Sequence, residues 1–199
     1  MKSTLILIFL SITSLFLSAQ DTLSGGQLSL GGRSTLSLFD SDGWGLGTGG
    51  QFRIQLSSRA NTDWFADYIS INVQDKIRSE YYHIGWSVLF YPIKNTRNIQ
   101  PYVLAGHCFD YNKKTILTSN TSLNRWGSAV QGGLGTHIHL SKRFDISLTC
   151  QYMIHLTAEL ESVINASNVS IVKGNTNTFE GHMLSTLSVN YKLFHLWGK

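Results

Sequence analysis

Hydrophobic and polar residues alternate along several segments of the chain. The clearest is 143–160, where the even positions, from Phe144 to Ala158, are apolar and the odd positions, from Asp145 on, are nearly all polar. Side chains of a β-strand point alternately to opposite faces, so this pattern predicts one strand between two different environments. The segment is longer than the about 5 or 6 residues usual in soluble sheets and matches the roughly 9–11 residues of a tilted strand that crosses a bilayer.

Seven further segments carry strand patterns, so the sequence predicts eight strands and no helix. Four of the seven alternate as clearly as the first. In two of the other three, 64–73 and 101–112, the pattern does not fix which side chains share a face. The seven segments are 26–39, 45–57, 64–73, 82–91, 101–112, 127–140 and 182–194.

The connectors between these strands differ in length. Those in odd places along the chain tend to be longer, among them 74–81, and the two longest, 113–126 and 159–181, both lie there. Long loops at one end and short turns at the other are typical of an up-and-down barrel in an outer membrane, with both termini at the short-turn end. The sequence therefore predicts an all-β chain that forms a single closed antiparallel up-and-down transmembrane β-barrel of eight strands.

The predicted sheet must close into a barrel because hydrocarbon offers no hydrogen-bond partners to unpaired backbone groups. Eight strands leave a lumen that side chains fill, and the polar face consists of Gly, Ser, Thr, Gln, His and Arg. Small positions should make room for bulky ones such as Arg53 and Gln131, so we expect a filled interior. These small positions are Gly45, Gly47, Gly49, Gly133 and Gly135. Aromatic residues, among them Trp44, Tyr82 and Trp126, fall largely near strand ends, where girdles at the membrane interfaces place them.

The beginning of the chain has a different composition. Lys2 precedes an apolar run, 5–17, that ends in small residues at Ala19, a pattern typical of a secretory signal peptide. The run is too short to span a bilayer as a helix, and no later run is long enough. We therefore expect a signal peptide at 1–19 and an outer-membrane β-barrel domain at 20–199.

The distribution of charge and the positions of the cysteines argue against a nucleic-acid partner and against a disulfide. The formal net charge is +4, but Lys and Arg are scattered without a basic run, so nucleic acid is not an expected partner. Cys108 and Cys150 fall on the fifth and seventh predicted strands. Two interstrand spacings separate them by roughly 10 Å, beyond the reach of a disulfide, so both thiols are expected to be unpaired.

Two histidines are the strongest candidates for metal chemistry. His137 and His139 point the same way on one strand, but zinc normally takes three or four ligands with supporting partners, so an ordinary polar lumen is favoured. A short turn that pairs position 139 with 145 predicts a hydrogen bond between His139 and Asp145. No catalytic, cofactor-binding or metal-binding residue is predicted, and no cofactor is expected.

Three segments resemble those of a known family: NTDWFADY (61–68), QPYVLAG (100–106) and the closing VNYKLF (189–194). They are similar to small eight-stranded outer-membrane β-barrels of Gram-negative bacteria, the OmpA/OmpX-like group, especially versions typical of Bacteroidetes. The resemblance covers 26 to 197 and implies a monomer in the cell outer membrane, surrounded by outer-membrane lipid and lipopolysaccharide. The closing strand is similar to the one that the barrel-assembly machinery recognises, although HLWGK follows Phe194.

The resemblance implies a non-enzymatic protein that acts in envelope integrity or in surface interaction through long extracellular loops. Two alternatives stay open. One is an outer-membrane lipid-modifying enzyme of the lipid A deacylase type, for which His155 with Glu159 and Glu161 is the candidate group. That His faces the predicted lumen, however, and the His-x-Ser pattern is absent. The other is a soluble exported lipocalin-like ligand binder, which requires the apolar face to point inward.

Overall fold

The computed structural model describes residues 25–39, 43–93, 98–158, 160–164, 169–174 and 181–197; the predicted signal peptide lies outside them. Within these ranges the chain forms ten β-strands. They are β1 (Gln27–Phe39), β2 (Gly43–Gln55), β3 (Ala60–Val73), β4 (Ile77–Phe90), β5 (Ile99–Ile116), β6 (Ser122–His139), β7 (Phe144–His155), β8 (Leu160–Ile164), β9 (Val169–Lys173) and β10 (Gly181–His195). Among the described residues, no helix has the length and apolarity needed to cross a membrane.

Eight of the strands close into an antiparallel barrel in the order β1-β10-β7-β6-β5-β4-β3-β2. The seam is formed by β1 and β10, where Gln27 lies opposite His195 and Leu38 opposite Met183. Strands β8 and β9 form a separate hairpin within the connector between β7 and β10. The predicted eight-stranded up-and-down barrel is therefore confirmed.

The two ends of the barrel carry different connectors. The terminal end holds the start of β1, the end of β10 and the connectors 56–59, 91–98 and 140–143. The loop end holds the connectors 40–42, 74–76, 117–121 and 156–180.

Two of the predicted long connectors are much shorter in the structure. The predicted bounds 74–81 and 113–126 were wrong, because β4 already begins at Ile77 and the β5–β6 hairpin turns only at 117–121. Backbone pairing continues to the pairs Ile77–Ile116 and Thr115–Ser122, so the polar side chains in these segments do not end the pairing of the strands. Only the last connector, 156–180, is long, and it contains the β8–β9 hairpin.

The apolar face of the barrel strands points outward, as the transmembrane hypothesis requires. Leu134 is 65% exposed and Leu148 47%, whereas Arg33, Gln51 and Asn190 are buried inside. This arrangement overturns the lipocalin-like hypothesis, which needs the apolar side chains to line the interior.

The two strands of undetermined parity follow the same rule. On β3, Trp64 and Tyr68 point outward and Asp67 points inward. On β5, Phe109 points outward, and its neighbour Asp110 is buried in the lumen.

The interior is not polar throughout, which corrects the expectation of a uniformly hydrophilic lumen. Near the loop end, Ile69, Ile71 and Val73 of β3 and Ile77 of β4 are buried inside the barrel. Partly buried hydrophobic residues of β5 and of the β8–β9 hairpin pack against this cluster: Ile116, Ile164, Val169 and Ile171. Because the hairpin packs on these inward side chains, they contact protein instead of water.

The inward glycines make room for large side chains, as predicted, but their partners differ from those expected. A Cβ atom on Gly45 would overlap Ile71, and one on Gly135 would overlap the ring of Tyr102. The expected partners were Arg53 and Gln131. Tight contact across a strand pair, more than space for charged side chains, therefore explains these positions.

Candidate functional site

An ion-paired network fills the lumen near the terminal end. Arg53 of β2 lies with Nη1 3.2 Å from Asp145 Oδ1 of β7, and its Nη2 donates to Ser147 Oγ at 3.0 Å and lies 3.9 Å from Asp63 Oδ2 of β3. Only 5% of Arg53 is exposed. One guanidinium group therefore neutralises two carboxylates from opposite sides of the barrel.

Amide side chains extend this network to β10. Gln51 Nε2 donates to Asn190 Oδ1 at 2.7 Å, and Asn190 Nδ2 donates to Asp145 Oδ1 at 3.0 Å. Further along β1, Arg33 Nε lies 3.0 Å from Asp67 Oδ1, and its guanidinium carbon lies 4.5 Å from the centre of the Phe65 ring. The Gln51–Asn190 and Arg33–Asp67 contacts connect strands that are not neighbours in the sheet, β2 to β10 and β1 to β3.

A second polar group, the Asp110 cluster, lies inside the barrel nearer the loop end. His155 Nδ1 and Arg125 Nη2 each lie 2.8 Å from Asp110 Oδ2, and His83 Nε2 lies 3.4 Å from Asp110 Oδ1. His155 Nε2 is 2.9 Å from His182 Nδ1. Five strands each contribute one of these buried side chains, so the cluster joins more than half of the barrel wall around one carboxylate.

The β8–β9 hairpin is fixed to this end of the lumen. Lys114 Nζ of β5 donates to Ser162 Oγ of β8 at 3.0 Å, and Arg125 Nη1 of β6 donates to Thr157 Oγ1 at 2.9 Å. Leu160, the first residue of β8, is 1% exposed. The hairpin is thus a packed part of the barrel.

The interior space that remains between the two polar groups is small. A cavity lined by Arg33, Gln51 and Asp63, among others, has a volume of about 20 Å³. A water molecule needs roughly 10–15 Å³ of such volume. The lumen between the two polar groups is therefore filled, as predicted.

The two candidate metal ligands have separate partners. His137 Nδ1 lies 2.7 Å from Ser147 Oγ and its Nε2 2.9 Å from the Tyr91 hydroxyl, and His139 Nε2 lies 3.1 Å from Gln100 Oε1. The two rings are 6.4 Å apart. In the part of the chain that the structure describes, no group of three or more His, Cys, Asp or Glu could hold a metal ion.

The predicted contact between His139 and Asp145 is half right. The two residues are opposite each other in the register, as predicted. The predicted hydrogen bond is wrong, because Asp145 is held by Arg53 and Asn190 while His139 turns to Gln100.

His155 faces the lumen, as its parity predicted, and belongs to the Asp110 cluster. Of its two proposed acidic neighbours, Glu159 lies outside the described residues and Glu161 belongs to β8. The cluster itself was not predicted. The parity of 101–112 was open, so nothing in the sequence indicated that Asp110 points inward.

Both cysteines are free, which confirms the prediction, and they lie on opposite faces of the barrel. Cys108 is buried inside and Cys150 is exposed on the outer wall. Two such side chains cannot approach each other without turning a strand over.

Oxidation with copper phenanthroline should therefore leave the intact mass of the folded protein without the loss of two hydrogens that a disulfide causes. Alkylation after unfolding should then label both Cys108 and Cys150. A single intramolecular disulfide would contradict the strand order, and the Cys150→Ser variant, which should take one label, controls for incomplete alkylation.

The outer wall carries a continuous row of aromatic rings across four strands, here called the aromatic ladder. Its members are opposite one another in the register: Tyr68 of β3, Tyr82 of β4, Tyr111 of β5 and Trp126 of β6. Successive ring centres lie 4.9, 5.8 and 4.8 Å apart. Such a row is the arrangement predicted for an interface girdle.

The ladder separates two kinds of wall. The next outward row toward the terminal end is mainly apolar and contains Ala66, Ile84, Phe109 and Ser128. The next row toward the loop end is polar and contains Ser70, Glu80, Lys113 and Asn124. At the other end of the wall, the rings of Phe144 and Tyr191 lie 4.9 Å apart. Exposed apolar side chains lie on all eight barrel strands, so an apolar belt surrounds the barrel, with these aromatic rings at its margins.

Known proteins resemble the chain in structure but not in sequence. No protein-family model and no curated protein matches it. Neisserial surface protein A matches with a TM-score of 0.61 at 10% identity, over 86% of this chain and 100% of that chain. Ail, the attachment invasion locus protein of Yersinia pestis, matches with a TM-score of 0.52 at 13% identity, over 86% and 100%. A major outer membrane protein from Thermus thermophilus matches at 0.58 and 9%, over 83% and 99%.

Identities this low show the fold alone. The chain is an all-β protein with the closed eight-stranded antiparallel barrel that small outer-membrane proteins have.

Proposed function

We propose that the chain is an integral protein of the cell outer membrane, a non-enzymatic monomer with a filled lumen that serves envelope integrity or surface interaction. The apolar belt with its aromatic margins is the observation that carries the proposal. Exposed side chains such as Leu134 and Leu148 would form a large apolar surface in water, whereas in a bilayer they contact acyl chains. We also propose that the chain belongs to the OmpA/OmpX-like group, in the versions typical of Bacteroidetes.

The proposed orientation places the terminal end in the periplasm and the loop end outside the cell. Barrels of this class have their termini and short turns on the periplasmic side. The loop end then presents the β5–β6 hairpin and the β8–β9 hairpin to the surroundings. Outer-membrane lipid and lipopolysaccharide would surround the wall, and the barrel-assembly machinery would receive the closing strand β10.

Burial of the titratable groups supports the non-enzymatic assignment over a lipid A deacylase. A general base must come within hydrogen-bonding distance of the proton it removes. His155 and Asp110 are at most 1% exposed, and both are engaged inside the barrel. Lipid A from cells that express the protein should therefore keep its number of acyl chains by mass spectrometry, and a changed number would favour the enzyme.

Refolding provides the primary test. The mature chain, expressed without 1–19, should require detergent or lipid to fold and should migrate differently on a gel before and after boiling. A chain that folds in plain buffer would contradict the membrane proposal.

The filled lumen predicts that no channel opens even without the hairpin. We expect a variant with 160–173 replaced by a Gly-Ser linker to show as little conductance in planar bilayers as the wild type, because the Arg53 network still blocks the barrel nearer the terminal end. Stable large steps in the wild type would contradict the filled interior, and steps in the variant alone would make the hairpin the barrier.

A further inference from the structure

The outer wall between β4 and β6 has an apolar depression at the loop-end margin of the belt. Its volume is about 480 Å³. Ile84 and Phe109 line it on the side of the belt, and Tyr111 and Trp126 of the aromatic ladder line it above them. Trp126 is 71% exposed, so its ring is available to a ligand.

Cationic side chains lie directly above this depression. Lys113 occupies the next row toward the loop end, and Arg78 the row after that, opposite Thr115. Diagonal neighbours on paired strands lie about 7 Å apart, so one anionic group can contact both side chains. No ion pair joins either cation to another side chain within the described part of the chain.

Glu80 is the carboxylate that lines the depression, and it lies opposite Lys113 in the register. The Tyr68 hydroxyl donates to Glu80 Oε1 at 2.9 Å. This hydrogen bond holds the carboxylate on the β3 side of the wall. Lys113 and Arg78 outnumber this carboxylate, and in the adjoining β3–β4 turn the charges of Asp75 and Lys76 offset each other, so the region above the depression is net positive.

We propose that this face, which we call the β4–β6 lipid site, docks an outer-leaflet lipid with a phosphorylated sugar headgroup, the chemistry of lipid A. This inference rests on the proposed outer-membrane location and names a partner for it. The order of chemistry along the wall matches that of such a lipid: phosphate at Lys113 and Arg78, sugar ring on Tyr111 and Trp126, and acyl chain in the depression. Aromatic faces bind sugar and apolar groups, and cations near a membrane surface attract anionic headgroups.

The opposite wall lacks this combination. Outward residues near the loop end of β7, β10, β1 and β2 are Tyr152, Met183, Leu38 and Trp44, so the described positions there include aromatic and apolar side chains but no cation. A general attraction to lipid would involve the whole belt. The charged row above the ladder therefore makes the β4–β6 face specific.

The test uses the mature chain refolded in detergent and titrated with bisphosphorylated rough lipopolysaccharide, with binding followed by native mass spectrometry. Each cation near an anionic surface contributes about fivefold in affinity. Arg78→Gln with Lys113→Gln should therefore weaken binding on the order of 25-fold. The matched control is Lys142→Gln with Arg143→Gln at the terminal end, which should leave the affinity unchanged.

Further ligands and a second variant separate the parts of the proposal. Trp126→Leu should weaken lipopolysaccharide binding but leave binding of phosphatidylglycerol unchanged, because only the sugar needs the ring. Dephosphorylated lipid A should bind equally to wild type and to the double variant, and inorganic phosphate should not compete at millimolar concentration.

Equal affinity of the wild type for lipopolysaccharide and phosphatidylglycerol, or an undiminished affinity in the double variant, would overturn the lipid site. Mobility on unboiled gels is measured first for every variant. A wild type that does not fold in detergent contradicts the proposed function itself, whereas a folded barrel without the preference contradicts only this inference.

Discussion

Replacement of Arg53 by methionine should lower the free energy of unfolding by about 3–5 kcal/mol. The change leaves the carboxylates of Asp63 and Asp145 inside the barrel without their shared cation, and Ser147 loses a donor. An uncompensated buried charge costs more than the lost pair contributed, because the lumen cannot replace the water removed on folding. A urea titration of the refolded protein in lipid vesicles, followed by tryptophan fluorescence, measures the difference.

The matched control is Arg143→Met. This arginine donates to the Tyr191 hydroxyl at 3.0 Å at an exposed position, so its removal should leave the urea midpoint nearly unchanged. The double change Arg53→Met with Asp145→Leu should recover part of the loss, since it removes one of the stranded charges. A loss below about 1 kcal/mol for Arg53→Met would mean that water reaches this network and that the lumen is not filled.

Replacement of Leu148 by arginine should cost about 2–4 kcal/mol of unfolding free energy in a bilayer. Leu148 lies on the outer wall of β7, midway between Phe144 and Tyr152, and is 47% exposed. An arginine there must place its charge among acyl chains or distort the bilayer to reach water. The same urea titration in vesicles gives the cost.

Asn124→Arg provides the control for this substitution. Asn124 lies on the outer wall of β6 in the polar row beyond the aromatic ladder, so an arginine there contacts water or headgroups and should change the unfolding free energy little. If Leu148→Arg were tolerated as well as Asn124→Arg, the apolar belt would not face lipid, and the proposed location would be wrong.

The strand count and the facing of most strands follow from the sequence because one physical contrast, lipid outside and protein inside, repeats along the wall. In β7, Leu148 and Asp145 differ so much in polarity that their faces can be assigned without a structure. The turn between β6 and β7 fixes the pairing of 139 with 145 in the same way.

The contrast inverts on β3, which explains why its parity could not be predicted. From Trp64 to Tyr68 the outward residues are aromatic or apolar and Asp67 points inward; beyond Tyr68, Ser70 points outward, and Ile69 and Ile71 are buried inside. Outside the belt the wall meets water, and the interior is covered by the β8–β9 hairpin. A strand that crosses this boundary carries both patterns, and the two cancel when the whole segment is considered.

The contacts inside the lumen could not be predicted at all. Which inward carboxylate meets which cation depends on the tilt of strands that are distant in sequence, and period-two patterning says nothing about contacts across the barrel. Arg53 and Asp145, 92 positions apart, were both assigned to the interior, but their ion pair appears only in the structure.

The position of the Arg53 network has a mechanical consequence. Strands β2 and β7 flank the seam where the first and last barrel strands meet, and Arg53 joins them from within while Gln51 and Asn190 join β2 to β10. Opening the barrel at this seam would break one row of backbone hydrogen bonds. It would also separate charged groups in an interior that solvates them poorly. The Arg53 network thus stabilises, from inside the barrel, the pairing between its first and last strands.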